Sequence, residues 1–111
     1  MMITRLAPDF SVSPQITPED LPLLKEAGFR AIVNNRPDGE EAGQPSDGDL
    51  RREAHRLGLV YVHIPIVPGH MSDDDAQTLR EAVAQTGGPV LAFCRTGNRS
   101  TRLWELARRR G

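Results

Sequence analysis

Pro89-Val90-Leu91-Ala92-Phe93-Cys94-Arg95-Thr96-Gly97-Asn98-Arg99-Ser100 is the stretch on which the fold turns. A short apolar run, residues 89–93, reads as a strand buried on both faces. The only cysteine follows it at once. Then comes an arginine-rich turn holding Gly97, and from Ser100 or Thr101 onward a helical pattern with Leu103, Leu106 and Ala107 on one face. Strand, tight turn and helix in that order form half of a β-α-β unit.

Outward from this stretch the same alternation occurs three more times. Phe10-Ser11-Val12-Ser13 is a short strand. Thr17 caps the helix after it, with Pro18 at the first position, Glu19 and Asp20 in the first turn and Gly28 as the stop. Ala31-Ile32-Val33 is the second strand, and residues 34–48, rich in Gly, Pro and acid, form a long loop of the kind that often carries function. Leu50, Ala54 and Leu57 give one helical face that ends at Gly58. Residues 59–64 are the third strand. Ser72 caps a helix that opens on Asp73-Asp74-Asp75, packs through Ala76, Leu79 and Val83, and stops at Gly87-Gly88. Four such units imply an α/β domain: a four-stranded parallel sheet inside a three-layer α/β/α arrangement.

At 111 residues the chain is one domain, residues 1–111. Hydrophobic content is 38% and aromatic content 5%, so Leu, Val, Ile and Ala fill the core. The formal net charge of −1 gives no general attraction to nucleic acid or anionic membrane. One cysteine allows no internal disulfide, and the three histidines match no zinc spacing. Residues 1–8 lack the apolar core of a signal peptide, and no apolar run reaches membrane-spanning length. A cytoplasmic chain with no cofactor, acting on a small anionic substrate, is the expectation.

Parallel sheets place ligands beyond the carboxyl ends of their strands. That edge collects Pro14 and Gln15, then Asn34, Asn35 and Arg36, then His63 and residues 65–70, and finally Cys94. A thiol at a strand-to-helix turn meets backbone N–H groups and the positive end of the helix dipole. Gly97 lets the backbone curl, and Arg95, Arg99 and Arg102 supply fixed charge. Such a nest, formed with Thr96 and Asn98, lowers a cysteine pKa and holds a phosphate or a sulfur oxyanion equally well. The competing reading is a small buried cysteine at the end of a core strand, with arginines facing solvent.

Four stretches together resemble the phosphatase-like domain of the beta-lactamase hydrolase-like family, a bacterial group: Ser13-Pro14-Gln15-Ile16-Thr17, Asn34-Asn35-Arg36-Pro37-Asp38-Gly39-Glu40-Glu41, His63-Ile64-Pro65 and residues 94–100. The resemblance implies a cysteine-phosphatase-like fold. It does not settle the reaction, because such members are described both as phosphatases and as sulfurtransferases. Cysteine phosphatases place five residues between cysteine and clamping arginine. Here four precede Arg99, and Ser100 holds the expected arginine position. The histidine such enzymes carry before the cysteine is Phe93, and their acid loop has no counterpart in Val67-Pro68-Gly69. The loop itself is closer to those of rhodanese-type sulfurtransferases.

Two enzymatic readings follow. In the first, Cys94 attacks phosphorus, Arg99 binds the equatorial oxygens, and His70 or Asp73 protonates the leaving group. In the second, Cys94 carries a sulfane sulfur as a persulfide. A non-catalytic anion-binding module is the third reading. Ser100 is expected to cap the last helix or to donate to the Cys94 thiolate, and Arg36 to assist anion binding. Asp38, Glu40 and Glu41 read as turn residues, because Pro-Asp-Gly favours a turn. His63 reads as a satisfied core histidine, and Trp104 as packing. The acids of residues 73–75 and the bases of residues 108–110 read as complements to helix dipoles.

Overall fold

A computed structural model describes residues 1–110, apart from the side chain of Arg110. Gly111 and the Arg110 side chain, counted above in the domain and in the basic helix end, lie outside the described residues. The elements run β1 (Thr4–Ala7), β2 (Phe10–Ser13), a 3-10 turn (Pro18–Asp20) leading into α1 (Leu21–Glu26), β3 (Ala31–Asn34), α2 (Asp47–Arg56), β4 (Val60–His63), α3 (Asp73–Thr86), β5 (Val90–Phe93) and α4 (Asn98–Arg110).

Side chains alternate across a strand, and that period of two sorts the core into two halves. Phe10, Val12, Ala31, Val33, Val90 and Ala92 point to one face, where Ala76 and Leu79 of α3 and Leu103 and Ala107 of α4 cover them. Ile32, Tyr61, Leu91 and Phe93 point to the other face, under Leu21 and Leu24 of α1 and Leu50 and Ala54 of α2. Three layers result, as expected.

The sheet has five strands in the order β1-β2-β5-β3-β4, not four. The added strand, β1, runs antiparallel to β2 and pairs Ala7 with Phe10 across a two-residue Pro8-Asp9 turn. It lacks an apolar run, and Thr4 and Arg5 are exposed, so periodicity does not mark it. An edge strand needs only one paired side and a partly covered face, and β1 has both. The other four strands are parallel.

Helix boundaries follow their caps. At Thr17 the backbone N–H donates to Asp20 Oδ2 at 2.9 Å, and the Asp20 N–H donates to the Thr17 carbonyl at 3.0 Å. Ser46 accepts from the Asp49 N–H at 3.1 Å, so α2 starts inside the expected loop. Ser72 and Asp75 close a reciprocal capping box at α3. α4 begins at Asn98, before the expected Ser100 or Thr101. Gly97, at φ 96°, turns the chain, and its carbonyl already accepts the Thr101 N–H at 3.0 Å.

Candidate active site

Ser13, Phe93, Asn34 and His63 lie side by side across four strands, in one row at the carboxyl edge. Everything the site uses leaves the sheet just past that row. The Asn35 N–H donates to the Phe93 carbonyl at 2.8 Å, the Ile66 N–H to the Asn35 carbonyl at 3.0 Å, and the Gln15 N–H to the Arg95 carbonyl at 3.3 Å. These bonds lace the loops after β2, β3, β4 and β5 together beyond the ends of their strands.

Cys94 heads the loop after β5 and is fully buried. Burial therefore agrees with the buried-thiol reading, but the surroundings do not. The Gly97 N–H donates to Cys94 Sγ at 3.0 Å. Burial alone pushes the thiol pKa up. The N–H groups of Ser100, Thr96, Gly97 and Arg99 all act on the sulfur and outweigh it, so the net shift is down from the usual 9.0. Favouring the thiolate in a closed site requires several donors aimed at one atom, and the loop at Thr96 and Gly97 together with the first turn of α4 supplies them.

Arg99 stands over this loop, and its five N–H donors can be accounted for one by one. Nη1 donates to Glu40 Oε2 at 2.7 Å and to the Ile66 carbonyl at 2.9 Å. Nη2 donates once, to Glu40 Oε1 at 2.9 Å. The Nε–H and the second Nη2–H keep no oxygen partner. They lie together on the long edge of the guanidinium, the fork that receives two oxygens of a phosphate. The Cys94 sulfur is near enough to add to the rise of the Arg99 pKa, behind the larger effect of Glu40.

Glu40 is thus the orienting partner of Arg99. It also accepts from Arg36 Nε at 2.8 Å. Hydrogen bonding from Arg99 holds its carboxyl at about 2, with partial burial opposing and Arg36 adding to the effect. Arg36 is fully buried and further spends Nη1 on Gln15 Oε1 at 2.9 Å and Nη2 on Glu41 Oε1 at 3.1 Å. It acts as the anchor of the long loop, with each guanidinium nitrogen engaged. The turn reading of Glu40 and Glu41 is corrected here, because both are ion partners of Arg36. Asp38 keeps a turn role and accepts the Asp47 N–H at 2.8 Å.

The Ser100 hydroxyl also differs from expectation. It donates to Asn35 Oδ1 at 2.8 Å, in a buried pair, and so its single proton is not directed at Cys94. Only its backbone N–H serves the sulfur. Asn35 in turn donates Nδ2 to the Ile64 carbonyl at 3.0 Å. Asn35 and Glu40 are the residues that sequence reasoning under-read. Their signal was position, since both follow the second parallel strand at the ligand edge.

Residues 3–110 match the phosphatase-like domain of the beta-lactamase hydrolase-like proteins. The chain belongs to that family. A beta-lactamase hydrolase-like protein of Xylella fastidiosa (strain Temecula1 / ATCC 700964) is 33% identical over 107 residues, which are 96% of this chain and 25% of the relative. The chain therefore spans about a quarter of the length of the curated relatives it matches. Among solved structures, a candidate phosphatase of Neisseria meningitidis Z2491 superposes with a TM-score of 0.84 at 34% identity, covering 94% of this chain and 74% of that one. A second candidate phosphatase, from Shewanella putrefaciens CN-32, shares the fold with a TM-score of 0.83 at 24% identity over 96% of this chain and 66% of its own. The cysteine-phosphatase-like fold expected from the resemblance is the one observed.

In this phosphatase-like domain, Arg95 lines a cleft of about 400 Å³ together with Arg36, Glu40, Glu41, Pro68 and Arg99. Thr96 is exposed and accepts the Asn98 N–H at 3.3 Å. His70 is exposed in a turn, donating its N–H to the Val67 carbonyl at 2.9 Å, and it is not in the wall of that cleft. Asp73 opens α3 and is exposed. The structure gathers the loop from Cys94 to Ser100 beside Arg36, and neither His70 nor Asp73 lines the cleft. His63 is a satisfied structural histidine, with Nε2 2.9 Å from the Arg36 carbonyl and Nδ1 3.4 Å from Asp47. No group of three or more His, Cys, Asp or Glu that could hold a metal occurs among the described residues. No helix among them is long and apolar enough to cross a membrane.

Proposed function

We propose that this phosphatase-like domain is a cysteine-dependent phosphate-ester hydrolase. The observation that carries the reading is the pairing of the Arg99 edge that meets no oxygen, and that lies by the Cys94 sulfur, with the four N–H groups around Cys94 Sγ. The thiolate attacks phosphorus, the Sγ–P bond forms, and the ester P–O bond breaks. The departing oxygen takes a proton from His70 or Asp73. Glu40 does not give it, being an ionised partner of Arg99. Water then hydrolyses the phosphocysteine and restores thiolate and inorganic phosphate. Arg99 and the loop amides receive the charge that the equatorial phosphoryl oxygens carry in the transition state of each step, which is where a preorganised donor set lowers the barrier. Arg95, Thr96 and Asn98 border the same anion.

The sulfurtransferase reading draws on another observation. The one carboxylate on Arg99 is held ionised, and a persulfide transfer needs no acid. Intact-protein mass spectrometry separates the two, since a phosphoryl adduct and an added sulfur differ in mass. Aryl phosphate hydrolysis lost in Cys94→Ser, with a trapped phosphoryl adduct in the wild type, supports the hydrolase. Phosphate release that survives the substitution removes it. Slower hydrolysis in His70→Asn or Asp73→Asn, confined to poor leaving groups, identifies the proton donor.

A further inference from the structure

Two clefts meet at Arg99, each of about 400 Å³. The first, described above, contains the carboxylates of Glu40 and Glu41 and so balances much of its own positive charge. The second is walled by Ile66, Pro68, Asn98, Arg99 and Arg102, among others, and none of its lining residues is acidic.

Arg102, like Arg5, Arg30, Arg95 and Arg109, is an exposed arginine without a side-chain partner among the described residues, and of these it is the one that lines the second cleft. On α2, Arg51, Arg52 and Arg56 each have a carboxylate three or four residues away. Arg80 is spent on Gln77 and the Ala107 carbonyl, and Arg108 lies over the Trp104 ring at 4.6 Å. Arg102 has no such partner among the described residues, and Glu105, three residues on, does not pair with it. The side-chain amide of Asn98 also makes no hydrogen bond among them. Residues three apart on a helix have Cβ atoms about 5–6 Å from each other. Arg99 and Arg102 therefore face one cleft from adjacent turns of α4. A dianion held by the Cys94 loop and the edge of Arg99 leaves Arg102 uncompensated, in a cleft whose walls concentrate its field.

We propose that this second cleft is a subsite for a further oxyanion of the substrate, so that the chain favours small esters carrying two phosphoryl groups close together over simple monoesters. The proposal rests on the reading of residues 94–100 as a phosphate cradle. Arg102 and the Asn98 amide receive the second group, while Arg99 and the loop amides hold the first.

Calorimetric titration of orthophosphate and pyrophosphate into the Cys94→Ser protein tests this without turnover. Pyrophosphate is expected to bind about tenfold more tightly, the gain of one hydrogen-bonded charged contact. That advantage is expected to vanish in Cys94→Ser/Arg102→Gln. It should persist in Cys94→Ser/Arg109→Gln, which removes the same charge from the same helix away from the cleft. Equal affinity for the two anions, or an advantage that survives Arg102→Gln or falls as far in Arg109→Gln, overturns the subsite and leaves the cradle standing. Failure of both anions to bind removes the cradle, and the subsite with it. Protection of wild-type Cys94 from iodoacetate by each anion measures the same affinities without the serine substitution.

Discussion

At the scale of single residues, the site depends on where a few protons point. Gly97 sits at φ 96°, a region costly for side chains, and its N–H lies 3.0 Å from Cys94 Sγ. Gly97→Ala is expected to lose about 1–2 kcal/mol of stability, the cost of forcing a Cβ into left-handed backbone. Relief of that strain turns the residue 97 N–H away from the sulfur, so the pH midpoint of Cys94 alkylation should rise above that of the wild type. Chemical denaturation and an iodoacetate pH series read the two effects separately. Glu40 gives a prediction with a definite sign. Its folded pKa is about 2 against an ordinary 4.5, so its contribution is fully present above 4.5 and fades as pH falls toward 2. Glu40→Gln is expected to cost roughly 1.5–3 kcal/mol at neutral pH, the range for hydrogen bonds to charged groups. The gap from wild type should narrow across that acid window in denaturation curves taken from pH 6 to pH 2. A gap that stays constant with pH would show that the carboxylate charge contributes nothing there.

At the scale of elements, caps and strand ends decide what the helices can offer. The capping box satisfies the N–H groups of Ser72 and Asp75 at the start of α3. Ser72→Ala should lower stability by about 1 kcal/mol and leave phosphate affinity unchanged, which thermal denaturation and phosphate titration check together. This is also the level at which the sequence was most legible. Apolar runs marked β3, β4 and β5, as suits strands covered on both faces, and the alternation of Phe10 and Val12 with serines marked β2. Thr17, Ser72 and Gly87 marked helix ends through chemistry that acts over three or four residues. β1 escaped notice because an edge strand with one wet face needs no such run. The start of α4 was set too late because Gly97 governs it through a backbone angle that composition does not display. In the site, Cys94 and its loop were readable as one contiguous segment. The Glu40–Arg99 and Asn35–Ser100 contacts join residues 59 and 65 positions apart, and no local pattern reports such partners.

At the scale of the whole molecule, the two core halves meet at β5, which is hydrogen-bonded on both sides, to β2 and to β3. A ligand bound only by the native fold stabilises that fold by mass action. Orthophosphate or vanadate at about 100 times its dissociation constant is expected to add roughly 2.7 kcal/mol to unfolding, seen as a rise in melting temperature that Arg99→Ala abolishes. The position of β5 also has a kinetic consequence. Amides of Leu91 and Ala92 can trade hydrogen for deuterium only when the entire sheet comes apart, whereas those around Glu40 need just a local opening. The sulfur of Cys94 thus follows directly on the strand expected to exchange slowest, and a local opening around Glu40 leaves the floor beneath it undisturbed.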